Sequence, residues 1–124
     1  MHRDEFNDLI HNKLDSCKDT LGLKASVYAK DTDRLHNFKS AARKLDTIPE
    51  IALRGMRIKH EVAIDDFIDA LAGIKSGWTT MDEWEEKIGD SINYLLLLYA
   101  LVVERYNYTF SEGVPVGDRP SLRT

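Results

Sequence analysis

Cysteine occurs once in this 124-residue chain, at Cys17. One thiol excludes an internal disulfide and a zinc site built from several cysteines, and it suits a reducing cytoplasm. Long apolar runs are also lacking. The longest, Tyr94 to Val103, is ten residues, too short to span a bilayer and typical of a buried helix. The first residues, MHRDEFNDL, have none of the apolar stretch of a secretion signal, so the expectation is a cytoplasmic protein without a membrane span. The seven glycines are scattered. They form no phosphate-cradling loop, which speaks against a P-loop or dinucleotide fold. No Ser-His-Asp context rises above chance, and there is no strand pair, internal repeat or low-complexity tract. Basic excess is missing as well. Lys and Arg number 17 against 21 Asp and Glu, a net charge of −4, so a general electrostatic grip on nucleic acid is not expected.

What is present is helical patterning in a chain of single-domain length. Apolar residues make up 43% and charged residues 31%, as in an ordinary globular protein whose core needs no covalent staple. Phe6, Leu9, Ile10, Leu14, Cys17 and Leu21 recur at steps of three and four, with one step of one, and predict a helix with one buried stripe, stopped at Gly22. Lys24 to Lys30 is read as helix or ordered loop. Asp31 or Asp33 then caps a helix that buries Leu35, Phe38, Ala42 and Leu45. Asp46 and Thr47 ahead of Pro49 mark the next start. From there Leu53, Met56, His60, Ile64, Phe67, Ile68, Leu71 and Ile74 define a helix of about 25 residues with a weak point at Gly55, ended by Ser76, Gly77 and Trp78. Thr80 with Glu83 is a capping box. The last helix carries Met81, Trp84, Ile88, Ile92, Leu95, Tyr99 and Val102 on one face. From Tyr94 onward it is apolar all round, which predicts a central position covered on several sides. The reading is an all-α antiparallel bundle of about four helices over residues 1–106, with an irregular tail at 107–124.

Several polar groups exceed what packing requires. Glu61, Asp65 and Asp69 form a stripe beside the apolar one, with Asp66 further round, while Arg57 and His60 fall inside the apolar sector. A buried arginine needs an acidic partner, expected from a neighbouring helix. Glu86, Asp90 and Asn93 lie opposite Ile88, Ile92 and Leu95. If the last helix is central, Glu86 and Asp90 converge with Glu61 and Asp65. Four such carboxylates suit an oxygen-coordinated Mg²⁺ or Mn²⁺. The competing reading is a set of solvated acidic faces, with His60 as a hydrogen-bonded core residue. A third group, Lys24, Tyr28, Lys30, Arg34, His36 and Asn37, mixes cations with an aromatic ring and an amide, as phosphate holding and base stacking require. Lys39, Arg43 and Lys44 read as an exposed basic face.

The order K-x-x-x-Y (Lys24, Tyr28), DRLHNF (Asp33 to Phe38), RIKHE (Arg57 to Glu61) and GDSINYLLLL (Gly89 to Leu98) resembles small phage-encoded proteins of the nucleotide-modification-associated domain family. That family is itself similar to the all-α MazG-type nucleotide pyrophosphohydrolases. The likeness covers about Leu21 to Arg105. It implies a nucleotide-directed bundle in which Glu61, Asp65, Glu86 and Asp90 hold Mg²⁺, with Glu61 and Asp90 central to catalysis. Lys24, Arg57 and Lys59 would take phosphate oxygens, and Arg34 would join the nucleotide-binding set. Tyr28 or Asn93 would meet base or sugar. The MazG-type pattern pairs ExxE with ExxD. Here Val62 stands three residues before Asp65 and Glu61 four before it, and Lys87 stands three before Asp90 with Glu86 four before. Lys87 puts a cation where the pattern has an acid, which favours binding an anion over binding a metal. Two functions are therefore expected, beside a third reading as a purely structural bundle: Mg²⁺-dependent nucleotide pyrophosphohydrolysis, or capture of a nucleotide or host protein by a non-catalytic phage accessory (counter-defence) protein. Both expect a nucleotide or other phosphorylated small molecule or a host protein as partner, a homo-oligomer, and a cytoplasmic setting, that of the host if the chain is phage-encoded.

Overall fold

Four helices follow one another in the computed structural model, which describes residues 1–28 and 33–111, the side chains of 23–28 and 108–111 excepted. They are α1 (Arg3–Tyr28), α2 (His36–Leu45), α3 (Pro49–Leu71) and α4 (Met81–Ser111). The described residues carry no β-strand, so the fold is an all-α bundle.

Helix boundaries differ from the sequence reading where a local signal was overruled. α1 runs through Gly22 to Tyr28. A mid-helix glycine costs about 1 kcal/mol relative to alanine, and the helix-favouring residues around it outweigh that. Asp33 does not cap α2 directly. Its carboxylate accepts the Leu35 N–H at 2.9 Å, and Leu35 holds the cap position without a side-chain bond. Asp31 lies outside the described residues. Asp46 closes α2 instead of opening α3. It sits in the left-handed region at φ 54°, donating its N–H back to Ala42 and Arg43. α3 then starts from Ile48 with Pro49 in its first turn. It ends at Leu71, where Gly73 at φ 76° turns the chain, earlier than Ser76. At α4 the expected cap is formed, with the Glu83 N–H donating to Thr80 Oγ1 at 3.2 Å. α4 continues to Ser111, past the point where an irregular tail was expected.

Interhelical contacts fix the arrangement. Arg105 grips Glu50 through Nε and Nη2, at 2.5 and 2.7 Å. His60 faces Asp90, and Phe67 meets Trp84 edge-on at 5.3 Å. α3 and α4 are therefore antiparallel. Lys13 Nζ donates to Glu85 at 2.5 Å, and Cys17 Sγ lies 3.9 Å from the Gly89 carbonyl, so α1 runs in the same direction as α4. α2 takes over further along, where Lys39 pairs with Glu104 at 2.5 Å. α1 and α2 thus occupy successive stretches beside α4.

The fully packed core lies at the α2 end. Leu35, Phe38, Leu53 and Leu101 are buried together, with Met56, Tyr94, Leu97, Leu98 and Ala100 against them. At the other end, beside the first half of α4, the stripe predicted to be buried on α1 is not. Cys17 is buried, but Phe6, Leu9, Ile10 and Leu14 are exposed. The physical reason is that α1 packs on α4 and on no other helix to a comparable extent, so one neighbour cannot cover its apolar width.

Candidate functional site

α4 meets its neighbours with an inverted pattern. The face carrying Asp90 and Asn93 turns inward, while Met81, Ile88, Leu95 and Tyr99 of the predicted core stripe face out; its Trp84 meets Phe67 of α3, and Ile92 and Val102 are half-buried. Asn93 is only 6% exposed, whereas Leu95 is 52% and Tyr99 68% exposed. The contacts of α4 explain this. Around its axis, at about 100° per residue, Asp90 and Tyr94 point toward α3, Glu85 and Gly89 point toward α1, and Asn93 falls between the two directions on the side where Leu97 and Leu101 enter the core.

On this inward side a polar cluster forms halfway along the α3–α4 interface. His60 Nδ1 lies 3.7 Å from Asp90 Oδ2, both side chains largely buried. That spacing allows attraction when the ring is protonated but is too long for a hydrogen bond. The His60 ring also stacks at a tilt on Tyr94, centroids 5.1 Å apart. One turn back on α3, Arg57 Nε sits 2.9 Å from Glu61 Oε1. The buried Nε–H is not aimed along that line, so it remains without a hydrogen bond. Asn93, between Asp90 and Tyr94 in sequence, has neither its amide nitrogen nor its carbonyl oxygen hydrogen-bonded. Ser91 Oγ is also unpaired, but two residues from Asn93 it lies on another side of α4 and outside this cluster. Buried polar atoms are nearly always satisfied in folded proteins, so this concentration of unmet donors and acceptors marks the place where a polar ligand or ordered water would gain most.

The four carboxylates expected to share a metal ion are not brought together. Glu61 turns back along α3 to Arg57. Asp65 and Glu86 are exposed, and Asp90 alone points inward, to His60. Among the described residues no three His, Cys, Asp or Glu side chains converge on a possible cation position. The register explains it. A step of four keeps each pair near one face of its helix, but of the four side chains only Asp90 lies on the α3–α4 contact line. The residues present therefore do not form the expected Mg²⁺ set. The expected partner for Arg57 also differs, being Glu61 of its own helix and not an acid from α4.

Among the remaining residues, Lys59 and Arg34 are exposed. Lys24 and Tyr28 belong to the last turns of α1, with side chains outside the described residues. Lys30 lies outside them altogether. Lys39 is not part of a free basic face. It bridges Asp33, at 2.8 Å, and Glu104. Those hydrogen bonds, Asp33 first, raise its pKa, while the Lys39 bond and then the Leu35 N–H lower that of Asp33. Sequence reasoning gave His60 and Tyr94 no role in a site. The available signal was a histidine in an apolar sector at the antiparallel level of an acid. Comparison of the chain with protein families, curated proteins and solved structures finds no match.

Proposed function

We propose that this chain is a nucleotide-binding protein that takes its ligand at the polar cluster between α3 and α4, without metal-dependent chemistry. The observation that carries the reading is Asn93. A buried amide with both donor and acceptor unmet costs about 1–3 kcal/mol, and an amide of that kind matches the paired donor and acceptor edge of a base. His60 and Tyr94, stacked on each other, offer ring surface in the same α3–α4 interface. Arg57 and the exposed Lys59 of the same helix supply cations for phosphate oxygens, with Lys24, Tyr28 and Arg34 as further candidates. The phrases RIKHE and GDSINYLLLL place these residues in the part of the chain that resembles phage nucleotide-modification-associated proteins. Lys87 near the acidic pair favours an anion over a cation. The buried, unpaired Cys17 suits a reducing cytoplasm. No helix among the described residues is long and apolar enough to cross a membrane. Assembly of the chain with itself belongs to the same reading.

The test is a panel of nucleoside mono-, di- and triphosphates, each with Mg²⁺ and with chelator, followed by melting temperature and product analysis. A ligand at 100 times its Kd adds about 2.7 kcal/mol. The expected result is a melting shift of several degrees with at least one nucleotide, retained in chelator, unaccompanied by pyrophosphate and lost in Asn93→Ala. Pyrophosphate release that requires Mg²⁺ and disappears in Asp90→Ala would replace this reading with the pyrophosphohydrolase. No shift with any nucleotide would overturn both.

A further inference from the structure

Among the described residues, the outward face of α4 has no partner. Met81, Ile88, Leu95 and Tyr99 recur along it at steps of seven, seven and four, with Ile92 between them. They span about 27 Å at 1.5 Å per residue. Leu96 and the exposed Leu9 and Ile10 of α1 border this stripe. Seven of these large apolar side chains stand roughly half exposed. Together they present on the order of 700 Å² of apolar surface, close to what each partner contributes to a stable protein–protein interface and more than a monomer ordinarily leaves open.

The face is also uneven in a way that fits itself. Its first half holds a groove of 330 Å³ between α1 and α4, lined by Leu9, Ile10, Ser16, Met81, Trp84 and Ile88 among others. Its second half holds the protruding ring of Tyr99 and the Leu95 side chain. A two-fold axis at Ile92 laid across α4 brings the second half of one copy onto the first half of the other, as an isologous contact requires. Charge does not oppose the contact. At the groove Lys13 is already neutralised by Glu85 at 2.5 Å, and the stripe itself bears no charged residue.

We infer that this face is a homodimer interface in which α4 packs antiparallel on α4 of a second copy, with Tyr99 and Leu95 of each copy seated in the α1–α4 groove of the other. The pairing gives the self-assembly in the proposed function its surface, and it stands whether or not a nucleotide binds, because the polar cluster lies on the opposite side of α4.

Sedimentation velocity of the full chain, from about 1 to 100 µM, is expected to give twice the 14.2 kDa chain mass at the upper end. The double variant Leu95→Glu, Tyr99→Glu is expected to sediment as a monomer with unchanged helical circular dichroism. Ile58→Glu, on an exposed part of α3 away from α4, is expected to remain a dimer. A second measurement does not depend on a folded charge variant. In Ile92→Cys the two thiols meet at the axis and form an intermolecular disulfide on mild oxidation, whereas Ile58→Cys does not cross-link. A monomeric wild-type chain overturns the proposal. So does a dimer that survives the double variant, or cross-linking at position 58 but not at 92.

Discussion

At the residue scale, Asn93 sets stability against binding. In the unliganded chain its amide has lost water without gaining a partner. Asn93→Leu replaces it with an apolar side chain of similar size beside Leu97 and Tyr94. The expected outcome is a gain of about 1 kcal/mol in urea unfolding, together with loss of the nucleotide-induced melting shift. A satisfied structural asparagine would give the reverse sign. The Glu50–Arg105 pair makes a separate prediction. Two hydrogen bonds from the guanidinium hold the Glu50 carboxyl below its ordinary 4.5. The unfolded chain therefore takes up that proton at a higher pH than the folded one. The contribution is complete above about pH 4.5 and is lost as the pH falls through the folded value. Arg105 is substantially exposed, so solvent screening keeps the effect modest. Asp33, held down mainly by Lys39, acts in the same direction. Glu50→Gln is expected to flatten the stability–pH curve below about pH 4.5, read from urea midpoints at each pH, while leaving the Asp33 part of the slope in place.

At the element scale, the chain's own punctuation accounts for most of the fold. Thr80 opens α4 and Pro49 stands in the first turn of α3, because both signals act through backbone groups next to them. Gly22 and Asp46 misled for the opposite reason. Nothing local forces a helix to stop at an exposed glycine, and an aspartate ahead of a proline can finish one helix as well as begin another. Asp46 holds a positive φ, which suits glycine better than any residue with a Cβ. Asp46→Gly is expected to raise stability by about 0.5 kcal/mol, read from chemical unfolding. Gly55 lies in mid-α3, where an added Cβ meets no atom within 4 Å. Gly55→Ala is expected to add about 0.5–1 kcal/mol in the same assay. The candidate site was less legible than the helices. A helical wheel shows which residues share a face but not which face turns inward. Ile88, Leu95 and Tyr99 look like core from hydrophobicity alone, and the inward position of Asp90 and Asn93 follows only once α1 and α3 are placed beside α4. The convergence of Glu61 and Asp65 with Glu86 and Asp90 failed at the same step, since it required side-chain directions across two helices.

At the scale of the whole molecule, α4 has two opposed uses for its two faces. Its polar face closes on α3 around His60, and its apolar face waits for cover that α1 alone does not provide. The α2 end has a complete core, whereas the far end, with α1 overhanging the first turns of α4, does not. A second copy on the α4 stripe finishes that end, so the stability of the far end must depend on protein concentration. Amide hydrogen exchange over Phe6 to Leu14 and Met81 to Ile88 is therefore expected to slow as concentration rises through the dimer range. Amides around Leu53 and Leu101, inside the complete core, are expected to change less. In Leu95→Glu, Tyr99→Glu the exchange of the first two segments is expected to stay fast at every concentration, because nothing then covers the groove. Equal slowing in all four places would instead mean that the two ends unfold together as one unit, with α1 held as firmly as that core.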